Sequence, residues 1–184
     1  MSAHVFDPLR LDVQAFANDA AALDGRWPLR RFERLAQAVH AEASPAEGDE
    51  VVWSAHGARR APRGAQVQTR LHLLAAARLR LECQRCLEPV ETALAVDRWF
   101  RFVPGEDSAA QIDTDCDDDV LALPRALDLR ELIEDELLLA LPLVPRHEQC
   151  PSPLAAANEG SDDARERPNP FAALAALKRD GSLN

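Results

Sequence analysis

From Val67 to Leu81 the chain alternates. Val67, Thr69, Leu71, Leu73, Ala75, Ala77, Leu79 and Leu81 share one parity, while Gln68, Arg70, His72, Arg78, Arg80 and then Glu82 take the other. A period of two puts successive side chains on opposite faces, so this is a half-buried antiparallel strand with an arginine-bearing outer face. At about 3.3 Å per residue the run spans roughly 50 Å, long for one flat strand, and a bulge or turn is expected near Ala75-Ala76-Ala77.

The run ends in Leu81-Glu82-Cys83-Gln84-Arg85-Cys86-Leu87-Glu88-Pro89. Two cysteines two residues apart can aim both sulfurs at one point, as metal binding and dithiol redox chemistry each require. The opening Met1-Ser2-Ala3-His4-Val5-Phe6-Asp7 lacks the basic start and apolar stretch of a signal peptide, so a reducing, cytoplasmic setting is expected, with thiols rather than disulfides. The apolar runs stay well below the ~18 residues of a membrane span.

A second pair, His147 and Cys150, lies sixty residues further on, counted from Leu87 to Arg146. Cys83, Cys86, His147 and Cys150 together offer three thiolates and an imidazole, a donor set suited to structural zinc. Such a metal would pin the end of a helix to the cysteine turn. The competing readings are unligated thiols on neighbouring loops and a redox pair with Arg85 lowering a thiol pKa. Redox pairs of that kind open a helix in a βαβ unit, whereas this turn lies between two strands.

Around this centre the pattern predicts an α+β fold: a curved antiparallel sheet, N-terminal helices and a long helix packed on the sheet. Helices are expected over Leu11–Asp19 and about Leu29–Ala41, separated by a break at Asp24-Gly25-Arg26-Trp27-Pro28. Phe32, Leu35, Ala36 and Val39 would face the core, with Arg30, Arg31, Glu33 and Arg34 outside. Strands are expected at Val51–His56 and Val90–Val103, the latter with Trp99, Phe100 and Phe102 as its bulk. Asp128 and Glu131 form a capping-box start for a helix that Pro142 and Pro145 stop. Residues 1–150 would be one domain, 151–167 a linker, and 168–184 a short helical segment begun by Pro168 and carrying Phe171, Leu174 and Leu177.

The charge is -10 overall but polarised. Between Arg59 and Cys86 seven arginines face one acid, Glu82; between Pro104 and Asp119 seven acids face no base, and Glu106 to Asp119 reads as a mobile loop. Arg70, Arg78, Arg80 and Arg85 are candidate contacts for phosphate or an acidic protein surface, Phe171 for a partner, and base stacking is a second reading of Trp99. Cys116 sits in the acidic run, which lacks the glycine and closing glutamate of a calcium loop. Glu134, Asp135 and Glu136 diverge around a helix and serve to cap and solubilise it. His4, His40, His56 and His72 show no partner pattern. With no phosphate loop or nucleophile elbow, neither an enzyme nor a small-molecule substrate is expected.

The cysteine block, the helix Leu129–Leu141 running into Pro142-Leu143-Val144-Pro145-Arg146-His147 with Cys150, and the closing Pro168-Asn169-Pro170-Phe171-Ala172-Ala173-Leu174-Ala175-Ala176-Leu177-Lys178 resemble the YceD family, the large ribosomal RNA subunit accumulation proteins. Cys83, Arg85, Cys86, Pro142, His147, Cys150, Pro170 and Phe171 match its pattern, and Cys116 lies outside it. The resemblance implies a cytoplasmic, non-enzymatic factor supporting synthesis, processing or stability of 23S ribosomal RNA. Its partners would be that RNA or its assembly and ribosomal proteins. A protein-interaction adaptor in ribosome assembly and a Cys-x-x-Cys redox protein are the alternatives.

Overall fold

The computed structural model describes residues 5–43, 45, 48–61, 66–113 and 119–151. The chain divides into two compact units, Met1–Cys150 and Pro151–Asn184. Apart from Pro151, the second lies outside the described residues, and with it the expected linker, the closing helical segment and Phe171; Cys116 lies outside them too.

Helix α1, Val13–Asn18, starts where the Asp12 carboxylate accepts the Ala15 N–H, and it buries Val13, Phe16 and Ala17. The expected break after it is instead strand β1, Ala22–Pro28. As an edge strand β1 tolerates both Gly25 and Pro28. Gly25 is required there by its neighbour: a Cβ would stand 2.9 Å from the Trp53 ring.

The single helix expected over Leu29–Ala41 is three short pieces. A 3-10 turn at Leu29–Arg31 leads into α2, Glu33–Gln37, and a second 3-10 turn follows at Ala41–Ala43. Phe32 interrupts the helical path with φ -105 and ψ 84, and the kink lets Leu29, Phe32 and Leu35 all reach the core.

Strands β2 (Glu50–Arg60), β3 (Gln68–Glu82) and β4 (Pro89–Val103) follow, then helix α3 (Glu106–Asp113), strand β5 (Asp119–Ala122) and helix α4 (Leu129–Leu139). The sheet runs β1-β2-β3-β4-β5; its first four strands pair antiparallel, and β5 joins β4 in parallel. The architecture is α+β, with a mixed rather than wholly antiparallel sheet. The acidic stretch read as a loop supplies α3 and the start of β5, so the expectation of a loop is corrected for all but residues 114–118, which are not described.

No bulge interrupts β3 at Ala75–Ala77: its pairing with β4 runs unbroken from Thr69↔Phe102 to Glu82↔Pro89. The length is accommodated differently. β2 covers β3 only as far as Ala76, so the remainder of β3 and its β4 partner project as a two-stranded arm, which accepts a larger twist than a broad sheet. That arm carries the cysteine turn at its tip.

The inward parity of β3, from Leu71 to Leu81, is buried against α1 and against Leu129, Ile133 and Leu137 of α4. At about 25 cal/mol per Å² of apolar surface, this core is the main source of stability.

Candidate metal centre

The turn between β3 and β4 closes on itself. Cys83 N–H donates to the Glu88 carbonyl at 3.0 Å, and Leu87 N–H donates to the Cys83 carbonyl at 2.9 Å. Leu87 holds the left-handed conformation, φ 63, that lets the chain double back into β4. From the other side, Gln84 N–H donates to the Pro145 carbonyl at 2.9 Å, hooking the segment after α4 onto the turn. Pro142 ends α4's reach and delivers His147 and Cys150 to that hook.

The result is convergence: one ligand atom from each of Cys83, Cys86, His147 and Cys150 lies within 4.8 Å of every other. The Cys83 and Cys150 sulfurs are 4.0 Å apart, and the Cys86 sulfur is 3.4 Å from His147 Nδ1. A tetrahedral zinc with its usual bond lengths separates two sulfurs by about 3.8 Å and sulfur from nitrogen by about 3.5 Å. The donors therefore already stand at metal-site spacing. None of Cys83, Cys86 and Cys150 is in a disulfide.

The histidine is oriented for the same role. His147 Nε2 lies 3.2 Å from the Pro89 carbonyl. Donation there leaves the Nδ1 lone pair facing the sulfurs, the usual way a ligating imidazole is held from behind. Bound zinc would supply charge neutralisation to crowded thiolates, and four protein donors complete its tetrahedral shell without an open coordination position.

Electrostatics split the thiols. Burial pushes the Cys83 pKa up, but donation from the Cys86, His147 and Arg85 amides outweighs it and brings the thiol down to about 5. Burial raises Cys150, and the neighbouring Cys86 and Cys83 sulfurs raise it further. An anionic sulfur is thus already favoured at Cys83.

The arginines are not the continuous basic line that parity suggested. Arg78 pairs with Glu91 at 3.3 Å and Arg80 with Asp49 at 3.7 Å. Both acids lie outside the Arg59–Cys86 stretch, on β4 and just before β2, so a local count of charge missed them. Arg85 is exposed on the cysteine turn, and Arg70 is buried with its guanidinium 5.1 Å from the centre of the Trp99 ring. Trp99 itself leaves the Phe100 and Phe102 group and faces the outer side of the sheet, as strict alternation along β4 requires.

Four further residues escaped the sequence reading. His40 and His72 have defined partners, Leu87 and Asp97 respectively. Glu136, expected at the surface, is buried beside Arg98, and so is Glu134. Glu134 accepts the backbone N–H groups of Arg34 at 2.7 Å and Leu35 at 3.1 Å, which caps α2 from a different helix.

A family model described as "Large ribosomal RNA subunit accumulation protein YceD" matches residues 71–178 of this chain, a span containing Cys83, Cys86, His147 and Cys150. A protein of the same description from Haemophilus influenzae is 35% identical over 103 residues, covering 54% of this chain and 59% of its own length. The aligned part is thus less than two thirds of that relative. No solved structure matches. Among the described residues, no helix is long and apolar enough to cross a membrane.

Proposed function

The chain belongs to the YceD family of large ribosomal RNA subunit accumulation proteins, and from that premise we propose that it is a non-enzymatic, cytoplasmic ribosome biogenesis factor built on a zinc-stapled scaffold. It supports synthesis, processing or stability of 23S ribosomal RNA by contacting that RNA or its assembly proteins. The family name ties the chain to accumulation of large-subunit RNA. The observation that carries the mechanistic part is the convergence of Cys83, Cys86, His147 and Cys150. A closed four-donor site at the junction of arm and helix loop is a structural clasp rather than a reaction centre.

Two measurements test this. Freshly purified protein should carry about one equivalent of zinc and Cys86→Ser much less; below about 0.2 equivalents in the wild type, the clasp is refuted. Cells lacking the gene should accumulate less mature large-subunit RNA, with rescue by the wild-type chain. Unchanged RNA in those cells would remove the biogenesis role.

The adaptor reading draws on a different observation. Leu139, Leu143 and Val144 are 74%, 100% and 48% exposed around the end of α4, an apolar surface of the kind that protein partners cover. It predicts salt-insensitive capture of an assembly protein and no effect of Arg78→Glu or Arg80→Glu.

A further inference from the structure

We infer that the outer face of the sheet carries a stacking site for an unpaired nucleobase, centred on Trp99 and His72, so that the chain contacts single-stranded RNA. The inference rests on the RNA reading above and assigns the contact to particular residues.

Trp27 and Trp53 pack against each other, 4.5 Å between ring centres, towards the core. The third tryptophan, Trp99, is turned to solvent and is 37% exposed. It does not stand there alone. The His72 ring lies parallel to it, 4.4 Å away with 7° between planes, and the Arg70 guanidinium lies 5.1 Å from its centre. Asp97 fixes His72 through a 2.7 Å contact to Nε2. An indole held by an imidazole and a guanidinium has little rotamer freedom left to lose, so a ligand that extends the stack meets a preformed surface.

Register places suitable groups beside it. His56 pairs with His72, which pairs with Trp99; on the next rung of the same face Arg70 pairs with Arg101. Aromatic planes on an open sheet face match the sequence-tolerant stacking by which the bases of single-stranded RNA are held. A duplex does not fit this role, because its base faces are already stacked on one another.

Apolar surface continues on the other side of the stack. There the sheet forms an open trough of about 850 Å³, floored by Val52, Leu74, Ala76 and Ala95 and bordered by Asp24, Arg26 and Asp97. The trough offers apolar contact to a second base or a ribose beside the stacked one.

The test is titration of the full chain with a single-stranded RNA of about 12 nucleotides copied from large-subunit precursor, beside the same sequence annealed to its complement. Trp99→Ala should weaken single-strand binding about tenfold or more, and Trp99→Phe should stay within about threefold of wild type. Trp99→Leu keeps apolar bulk without the π face; it must show the same loss and replaces Trp99→Ala if that variant is unstable. Equal binding by wild type and the Ala or Leu variant, equal affinity for duplex, or capture of a protein with no RNA bound would each overturn the site. If the wild-type chain rescues large-subunit RNA in deleted cells while Trp99→Leu rescues and binds RNA equally well, this inference falls alone. If deletion leaves that RNA unchanged, the biogenesis reading falls instead.

Discussion

His40 donates from Nε2 to the carbonyl oxygen of Leu87, 3.0 Å away, while its Nδ1 accepts the Glu42 N–H at 3.2 Å. The accepting role of Nδ1 fixes the tautomer, so the donor must be Nε2. The segment after α2 thereby holds the cysteine turn at its most strained residue, since Leu87 has φ 63 and a side chain that is 57% exposed. Leu87→Gly should stabilise the protein by about 0.5–1 kcal/mol, because relief of left-handed strain exceeds the entropy that glycine adds to the unfolded chain. Urea midpoints measure it, and a loss of stability would show that the leucine side chain packs usefully.

Glu134 joins two helices that are distant in sequence. Its carboxylate accepts two N–H groups at the start of α2 and also pairs with the Arg34 guanidinium at 3.1 Å. Phe32, at the N-cap position of α2, supplies no side-chain cap of its own. Glu134→Ala should cost about 2 kcal/mol, the loss of a cap together with buried donors left unpaired. Glu134→Gln keeps an acceptor and should cost about half as much. Equal effects of the two in thermal unfolding would argue that charge rather than capping matters.

Glu136 predicts a pH dependence of opposite sign to that of an ordinary paired carboxylate. Burial raises its pKa, Arg98 at 3.6 Å lowers it in part, and Asp119 and Asp135 raise it again. The folded state therefore holds this proton at pH values where the unfolded chain has released it. Stability is fully present below the ordinary glutamate range and is lost as pH climbs from there through the raised native value. Glu136→Gln should melt higher than wild type at pH 7, with the difference closing as pH falls below that range. A constant difference across pH would remove ionisation as the cause.

The parts of this fold that were legible are those whose signal is local. Alternation from Leu71 to Leu81 gave the inward face of β3, and the Asp128 cap with the prolines that follow gave α4. The convergence of Cys83, Cys86, His147 and Cys150 was legible because their donor chemistry narrows the choice to few arrangements. What was hidden depends on partners distant in sequence. Asp24 to Pro28 reads as a turn until the Trp53 ring explains Gly25. Glu134 reads as solvated until the bare start of α2 lies against it. Arg78 and Arg80 read as a basic face until β4 and the residue before β2 bring Glu91 and Asp49 alongside.

Gly57 marks the closest approach between α1 and the sheet. A Cβ there would lie 2.5 Å from the Phe16 carbonyl oxygen, and the Gly57 N–H donates to Ala21 at 2.9 Å. The obstacle is backbone, so no rotamer change relieves it. Gly57→Ala should destabilise by about 1–3 kcal/mol through displacement of α1. Gly48, with open space around its Cβ position, is the control and should change stability by less than about 0.5 kcal/mol as Gly48→Ala.

If the cluster holds zinc as proposed, removing the metal should loosen one corner of this protein rather than unfold it. Small zinc domains collapse without their ion because it replaces a core; here the sheet packs on α1 and α4 through a buried cluster extending from Leu11 to Leu137. The clasp instead ties two segments sixty residues apart, a loop whose closure is worth up to about 4 kcal/mol. Chelation, or Cys150→Ser, should therefore lower Tm by roughly 10 °C while far-UV dichroism at 25 °C hardly changes. Amide exchange should quicken first at Gln84, whose N–H bonds to Pro145 across the two halves of the site. That bond lies beside the metal without involving a ligand atom, so its exchange reports the clasp opening. Unchanged protection of Gln84 after complete zinc removal would mean that the hook holds unaided, and that the metal serves something other than the junction between arm and helix.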